Sequence, residues 1–391
     1  MPGPHPGGAV IDALAQSAPN AADRTTPIHR EKEFCVMLER ITVIGAGATG
    51  HTVSAVMSMR GFRVTMYDDD RFAPQLDAVK ELGGIQLRGR ARGTGTPALV
   101  TSDVARAIPG AQAIFVHVPA DRHEEIARSI APYLEDGQHI LIIPGNLGSF
   151  LFRKIFQELG VTAKVTLTEK DGNFCPCRLT APAEVTVGLP INLKGQVYSL
   201  PASDTPRVLK DLEGVVEYSA GQNVFEGAVN AGNVINHVAS TILSSAEIDH
   251  KGSEYSLFKY AFTPSVVHCI SKISAERKAV IEAAGLPNHG DPMGTIHKIH
   301  HLDEFPEFQA FYDYMDGPYA LNHRYLHEDC GCGGAFVLSL AQRLELDMPV
   351  LKAFMGVAGA INDRDYIQDG RTLENLGFPA GMTLEEIIAA L

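Results

Sequence analysis

The chain has 391 residues, 45% of them hydrophobic, which is sufficient for two domains with buried cores. Its net charge of −13 argues against nucleic acid as a partner. No apolar run reaches the length of a membrane span, and MPGPHPGGAV lacks the features of a signal peptide. Six cysteines in so long a chain do not indicate a disulfide framework. We therefore expect a cytoplasmic protein without a membrane partner.

The first 38 residues differ in composition from the rest of the chain. They are rich in Pro, Gly, Ala and Ser and show little hydrophobic periodicity. Because such a segment cannot bury enough apolar surface to fold, residues 1–38 are predicted to be a disordered extension.

A glycine-rich turn follows the first predicted strand, ITVI. Gly45, Gly47 and Gly50 have G-x-G-x-x-G spacing, and a helical stretch and a second strand, FRVTMYD, come next. These glycines permit a tight turn, close approach of a pyrophosphate and close packing of helix on strand. The helix, which begins with Ala48 and Thr49, offers N–H groups to the phosphates. The order of these elements predicts a dinucleotide-binding site.

The second strand ends in an acidic residue, Asp68. A carboxylate at this position hydrogen-bonds the 2′-hydroxyl of a ribose and repels a 2′-phosphate, which favours NAD(H). Arg71, three residues further on, leaves NADP(H) open as an alternative. FAD is the rival cofactor, although the glycine and aspartate signature of a flavoprotein's second half is not apparent in the sequence.

Two further strands, AQAIFVHVPA (111–120) and GQHILIIPG (137–145), extend a predicted doubly wound sheet. Ligands of such sheets bind at the carboxyl ends of the strands. The turns that follow, which contain Pro119 and Asn146, are therefore expected to border the nicotinamide. Residues 39–221 are predicted to form this NAD(P)-binding Rossmann domain.

The second half, residues 222–391, has helical patterns and predicts an all-α domain. The segment VNAGNVINHVASTILSSA (229–246) contains no charged residue, yet a polar stripe with helical spacing runs through it, formed by Asn230, Asn233, His237, Thr241 and Ser244. Because buried polar groups need partners, we predict that the stripe faces the cleft between the domains. The alternative is a core histidine bound to a backbone carbonyl.

Later helices are expected in AFVLSLAQRLEL, PVLKAFMGVAGAIND and TLEEIIAAL, the last opened by a capping box of Thr383 and Glu386. The charged segment YALNHRYLHEDCGCGG (319–334) is expected to be a solvated turn. The cysteines of FCPC and CGC are spaced more closely than structural zinc ligands. In HKIHHLDE (297–304), His297, His300 and His301 have a helical spacing that could hold a metal, but the segment is interpreted as a surface loop. No metal site is predicted.

The order of these motifs resembles the opine dehydrogenase family of the octopine/nopaline type. The resemblance covers nearly all of the chain after residue 38 and is carried by GAGATG, NVINH (233–237), RYLHED (324–329) and DYIQDGRTLENLGF (365–378). It implies a Rossmann domain followed by an α-helical domain. It also implies NAD(P)H-dependent reductive condensation of an amino acid with a 2-oxo acid such as pyruvate, or the oxidative reverse.

The resemblance also implies roles for individual residues. Carried over by position, His237 resembles the catalytic acid/base, Asp329 its carboxylate partner and Arg324 a residue that binds the substrate carboxylate. The chemistry requires such groups, because histidine titrates near neutral pH, a carboxylate fixes its tautomer, and arginine binds carboxylates through parallel N–H bonds. Asn233, one turn before His237, is expected to orient the substrate or the nicotinamide amide.

Two alternatives remain open at this point. Ketopantoate reductases, 3-hydroxyacyl-CoA dehydrogenases and glycerol-3-phosphate dehydrogenases also join such a domain to helices, and they act without an amino substrate. A non-catalytic NAD(P)-binding regulator would keep the fold without turnover. Small molecules are the expected partners, and a homodimer formed through the helical domain is a further open alternative.

Overall fold

The computed structural model describes residues 38–391, so the extension predicted for residues 1–38 lies outside the described residues except at its last position. The described residues contain twelve strands in two sheets: β1 (Arg40–Ile44), β2 (Arg63–Tyr67), β3 (Ile85–Gly89), β4 (Gly93–Gly95), β5 (Leu99–Thr101), β6 (Ala113–Val116), β7 (His139–Ile142), β8 (Thr166–Lys170), β9 (Cys177–Ala181), β10 (Glu184–Val187), β11 (Lys194–Leu200) and β12 (Glu217–Ala220).

Six helices accompany these strands within residues 38–220: α1 (Ala48–Met59), α2 (Ala73–Leu82), α3 (Val104–Ala107), α4 (His123–Ile130), α5 (Gly148–Glu158) and α6 (Thr205–Asp211). Twelve more follow: α7 (Val224–Asn230), α8 (Asn233–Leu243), α9 (Ser245–Lys251), α10 (Leu257–Tyr260), α11 (Pro264–Ala283), α12 (Pro292–His300), α13 (Gln309–Tyr314), α14 (Arg324–Glu328), α15 (Ala335–Arg343), α16 (Pro349–Asn362), α17 (Tyr366–Asp369) and α18 (Leu384–Ala389).

The larger sheet has the order β12-β11-β8-β7-β6-β1-β2-β5, and all its neighbouring strands are parallel except β8 and β11. The chain moves outward from β1 through β2 to β5 on one side, and from β6 through β7 to β8 on the other. The order therefore reverses between β1 and β6, which is where an open α/β sheet binds its ligand. The predicted fold class, a doubly wound sheet followed by an all-α domain, is confirmed.

A second sheet, which the sequence analysis did not predict, covers the outer side of α1. Its four short strands have the order β4-β3-β10-β9. Helix α1 packs against both sheets, and β4 comes so close that a Cβ added to Gly95 would lie 2.2 Å from the carbonyl oxygen of Ala55. This enclosure explains why most residues of α1 are buried, and it fixes the helix N-terminus beside the glycine turn.

The core of the helical domain is built around α8. Helices α11, α14 and α16 pack against it, and Val234, Ile235, Val238 and Ala239 are buried in the shared core. The predicted capping box at Thr383 and its helix are confirmed in α18.

Residues 319–334 do not form the solvated turn that the sequence predicted. They contain α14 and a π-helical turn, Asp329–Gly334, which continues into α15. The glycines serve close packing: a Cβ added to Gly333 would lie 2.4 Å from a methyl carbon of Val234, and one added to Gly334 would lie 2.8 Å from the sulfur of Met355. Helix α14 and the π-helical turn are consequently packed against α8, and the π-helical turn also contacts α16.

Candidate active site

The glycine turn after β1 has the shape that a dinucleotide needs. Gly45 has a φ of +123°, and a Cβ added there would lie 2.4 Å from the carbonyl oxygen of His117. A Cβ added to Gly50 would lie 1.8 Å from the carbonyl oxygen of Gly45. Around Gly47, by contrast, an added Cβ would meet no described atom within 4 Å. The turn is therefore closed at its first and third glycines and open at the middle one.

Ala48 and Thr49 begin α1 directly behind this turn. Gly47 precedes them and has no side chain with which to cap the helix. The first N–H groups of a helix lack partners inside the helix, so these donors are available to a ligand. Open space and available donors together fit the pyrophosphate of NAD(P).

The side chain of Asp68 lies at the end of β2, beside the glycine turn. It is 1% exposed, and its Oδ2 accepts a hydrogen bond from the backbone N–H of Ala46 at 2.7 Å. Arg122, which follows β6, donates to Asp68 Oδ1 at 2.9 Å. The charge of Asp68 is thus partly balanced within the protein, so less negative charge is available to repel a 2′-phosphate than the sequence indicated.

Arg71, the residue that kept NADP(H) as an alternative cofactor, forms ion pairs at the surface. Its guanidinium donates to Asp69 Oδ2 at 2.7 Å and also contacts Glu125. A bound 2′-phosphate would have to compete with these carboxylates.

Pro119 and Asn146 lie in the turns after β6 and β7, at the carboxyl edge of the sheet. Glu328 of the helical domain reaches both turns with one oxygen: its Oε1 accepts from Asn146 Nδ2 at 2.7 Å and from the N–H of Ala120 at 3.3 Å. Burial raises the pKa of Glu328. One carboxyl group of the helical domain therefore binds both of the turns that are expected to border the nicotinamide.

His237 and Asp329 are brought together although 92 positions separate them in the chain. The distance between His237 Nδ1 and Asp329 Oδ2 is 2.8 Å, and the two side chains are 9% and 11% exposed. The ring of Tyr325 stacks on the imidazole with a centroid distance of 3.7 Å. His237 thus pairs with a carboxylate rather than a backbone carbonyl. Among residues 38–391, the side-chain hydrogen bond of His237 is made by Nδ1, and its Nε2 has no hydrogen-bond partner.

Arg324 opens α14, the helix that leads to Asp329. Its side chain is 42% exposed, and its Nη1 is 3.6 Å from Glu328 Oε2, which is too long for a hydrogen bond. The guanidinium therefore keeps donors for a ligand. Burial and the neighbouring guanidinium lower the pKa of His323 to about 4, so this histidine, which accepts from the N–H of Tyr325, adds no charge near neutral pH.

The predicted polar stripe is divided between two helices, and the expectation that all of it faces one cleft is wrong. Asn230 ends α7, whereas Asn233 begins α8. Asn230 Oδ1 accepts from the N–H groups of His289 and Gly290, each at 3.0 Å, and its Nδ2 donates to the carbonyl of Pro287 at 2.8 Å. Asn230 therefore anchors a loop, while Asn233 is exposed one turn before His237.

Replacement of Asn230 by alanine is expected to lower the free energy of unfolding by about 3 kcal/mol, because buried backbone groups lose their partners. Asn233→Ala, the same substitution at an exposed position three residues further on, should change it by less than about 0.5 kcal/mol. Urea denaturation followed by circular dichroism measures both values. Equal stability losses in the two variants would contradict the anchoring role of Asn230.

Within residues 38–391 no group of His, Cys, Asp or Glu side chains is arranged to hold a metal ion. The five cysteines of this part of the chain are free thiols. His297 and His300 lie on α12 and not in the surface loop that the sequence predicted. In the same described residues, no helix is both long and apolar enough to cross a membrane.

Two residues that the sequence analysis did not single out, Glu328 and Arg371, also belong to this site. Arg371 Nη2 donates to the carbonyl of Ala120 at 2.9 Å, and its Nη1 binds the carbonyl of Asn146. A signal for Glu328 was its position directly before Asp329. Arg371 lies in DYIQDGRTLENLGF, a segment that contributes to the family resemblance but that gave no prediction for an individual residue.

A glycine turn of the dinucleotide-binding type, joined to a histidine–carboxylate pair on a separate helical domain, is an arrangement typical of NAD(P)-dependent dehydrogenases. Residues 220–362 match the family model of the NAD/NADP octopine/nopaline dehydrogenase α-helical domain, and residues 40–145 match that of the NAD-dependent glycerol-3-phosphate dehydrogenase N-terminus. An opine dehydrogenase of Arthrobacter sp. (strain 1C) is 31% identical over 364 residues, which cover 89% of this chain and 98% of that protein. The chain belongs to the opine dehydrogenase family.

Solved structures agree with this assignment in their fold. Octopine dehydrogenase with NADH and L-arginine superimposes with a TM-score of 0.67 at 20% identity, covering 90% of this chain and 98% of that one. Yersinopine dehydrogenase with NADP⁺ gives a TM-score of 0.56 at 13% identity, covering 90% and 97%. The predicted function is confirmed: the protein is an NAD(P)-dependent oxidoreductase acting on CH–NH groups, which condenses an amino acid reductively with a 2-oxo acid or catalyses the reverse.

Proposed function

We propose that His237 is the acid/base of this reaction, that Asp329 holds it in the active tautomer, and that Arg324 and Asn233 bind the substrates. The observation that carries the proposal is the 2.8 Å contact between His237 Nδ1 and Asp329 Oδ2, which leaves Nε2 unpaired among the described residues. We further propose that residues 39–221 bind the cofactor and residues 222–391 supply the acid/base.

The proposed cofactor site consists of the glycine turn, the start of α1, the acid after β2 and the turns after β6 and β7: Gly45, Gly47, Ala48, Thr49, Gly50, Asp68, Pro119 and Asn146. NAD(P)H bound there supplies a hydride. NAD(H) is the proposed cofactor because Asp68 faces the glycine turn, and NADP(H) is the alternative because Arg122 balances its charge.

The condensation requires two proton movements that His237 can perform. Its Nε2 first accepts a proton from the ammonium of the amino acid, and the free amine then attacks the keto carbon. The C–N bond forms while one proton of the attacking nitrogen moves to the former carbonyl oxygen, which gives a carbinolamine. Nε2 then gives its proton to the hydroxyl of the carbinolamine, the C–O bond breaks, and water leaves a protonated imine. Asp329 accepts from Nδ1–H throughout and stabilises the imidazolium between these steps.

Arg324 is proposed to bind the carboxylate of the 2-oxo acid. Its half-exposed guanidinium lies 3.6 Å from Glu328 Oε2, within ion-pair range but too far for a hydrogen bond, and Arg324 opens the helix that leads to Asp329. Two parallel N–H bonds to a carboxylate fix the plane of the oxo acid. Asn233, which projects from α8 one turn before His237, is proposed to orient the amino acid or the nicotinamide amide.

The test measures nicotinamide absorbance with NADH or NADPH, with pyruvate, glyoxylate or 2-oxoglutarate held constant against a panel of amino acids. Solved relatives hold L-arginine or pyruvate together with NADH, so this pair comes first. Oxidation that requires both substrates is expected. Oxidation with the oxo acid alone would indicate a hydroxy-acid dehydrogenase. Cofactor binding without turnover in either direction would indicate a regulator.

A further inference from the structure

Two residues of the helical domain hold the same two residues of the nucleotide-binding domain. Glu328 Oε1 accepts from Asn146 Nδ2 at 2.7 Å and from the N–H of Ala120 at 3.3 Å. Arg371 donates to the carbonyl of Ala120 at 2.9 Å and to the carbonyl of Asn146. Each of the two turns is thus bound through one donor and one acceptor. We call these four residues the interdomain clamp.

The clamp and the acid/base pair are carried by one segment of the helical domain. Glu328 directly precedes Asp329 in the chain. The backbone N–H of Arg371 donates to the carbonyl of Gly331 at 2.7 Å, in the π-helical turn that begins with Asp329. Any displacement of the Ala120 and Asn146 turns relative to this segment is consequently a displacement relative to the acid/base pair.

The clamp is largely shielded from water. The Glu328 side chain is 10% exposed, and burial raises its pKa. Hydrogen bonds to such a group are costly to lose, because the buried donors left behind have no replacement partner. Arg371 also lies 3.4 Å from His123 Nδ1, so its guanidinium is held against the start of α4 as well as against the two turns.

We propose that Glu328 and Arg371 are positioning residues for the reaction. They hold the two turns proposed to border the nicotinamide in register with His237 and Asp329. Hydride transfer needs reacting atoms about 3–3.5 Å apart, and a misplacement of about 1 Å can cost about 100-fold in rate. This inference rests on the proposed roles of His237 and Asp329.

Truncation of either residue tests the clamp. Glu328→Ala and Arg371→Ala are expected to lower kcat by about 10- to 100-fold while the KM of the 2-oxo acid changes by less than about threefold. The primary isotope effect measured with NADH deuterated at the transferred position should increase, because the hydride step becomes slower. Glu328→Gln keeps an oxygen acceptor for both donors and should retain kcat within about threefold.

Arg343→Ala is the matched control. Arg343 also donates to a backbone carbonyl, that of Met382, and to a carboxylate, that of Glu374, but all of these residues lie in the helical domain. This variant is expected to lose thermal stability and keep both kcat and the isotope effect. If Glu328→Ala and Arg371→Ala behave in the same way, the two residues are structural and the clamp does not position the reaction.

Hydrogen exchange separates failure of the clamp from failure of the proposed acid/base. The N–H of Ala120, bound to Glu328, reports the clamp without turnover. Faster exchange at this amide in Glu328→Ala, with protection retained in Arg343→Ala, is expected. Unchanged exchange would overturn the clamp, whatever the activity. Full activity in His237→Ala would overturn the acid/base assignment and leave the exchange result intact.

Discussion

Replacing His237 with alanine is expected to lower kcat/KM for the two-substrate reaction by about 1,000-fold, because general acid–base catalysis contributes about 10²–10⁴-fold. In the proposed mechanism this imidazole takes a proton from the ammonium of the amino acid and later gives it to the departing hydroxyl. The stacked ring of Tyr325 and the carboxylate of Asp329 hold it in one orientation, 3.7 Å and 2.8 Å away respectively. No other histidine in the described residues shares this carboxylate.

Steady-state kinetics in the condensing direction measure this effect. NADH affinity, followed by fluorescence titration, should stay within about threefold of the wild type, because a residue that acts only in the chemical step adds little to ground-state binding. His297→Ala, an exposed histidine on α12, is the control and should keep full activity. If His237→Ala keeps kcat/KM within about threefold of the wild type, His237 is not the acid/base of the reaction.

Asp329 provides a second test of the same pair. Asp329→Asn keeps an oxygen near Nδ1 but removes the charge that stabilises an imidazolium, so it should lose much of the activity that His237→Ala loses. Because residues that act as a unit are not additive, the double variant is expected to be no slower than the slower single variant. Additive losses would mean that the two side chains act in separate steps.

The glycine turn of the site could be predicted from the sequence, because a backbone turn requires particular residue types at fixed spacing along the chain. The spacing of Gly45, Gly47 and Gly50 between a strand and a helix encodes a single turn, and the structure contains that turn. The pairing of His237 with Asp329 was not contained in any local pattern. It followed from the resemblance, which supplied a tertiary relationship between two short motifs.

The parts that sequence reasoning missed depend on contacts between distant segments. Arg122 and Asp68 are 54 positions apart, and Arg371 and Ala120 are 251 apart. The period of a helix or strand says nothing about which side chain a distant domain brings alongside. The prediction for Asn230 was wrong for a related reason. Its spacing continued the polar stripe, but the helix is interrupted between α7 and α8, where the sequence carries Gly232.

Gly47→Ala is expected to weaken NADH binding by about 10- to 100-fold, because an added methyl group in a filled site costs about 1–3 kcal/mol. The same substitution should leave the free energy of unfolding nearly unchanged. Gly47 has a φ of −79°, which alanine adopts readily, and the space around its added Cβ is open. The position is therefore unconstrained by the fold itself, so a loss of binding reports the approach of the pyrophosphate.

Gly50→Ala provides the contrast, because its added Cβ would lie 1.8 Å from the carbonyl oxygen of Gly45. This variant should lose both stability and NADH binding, since the start of α1 must move away from β1. Fluorescence titration measures NADH binding by the two variants, and thermal unfolding measures their stability. Together they show whether the space beside each glycine is needed by the ligand or by the fold. If Gly47→Ala binds NADH as tightly as the wild type, the pyrophosphate does not approach the middle glycine, and the proposed cofactor site at the start of α1 is wrong.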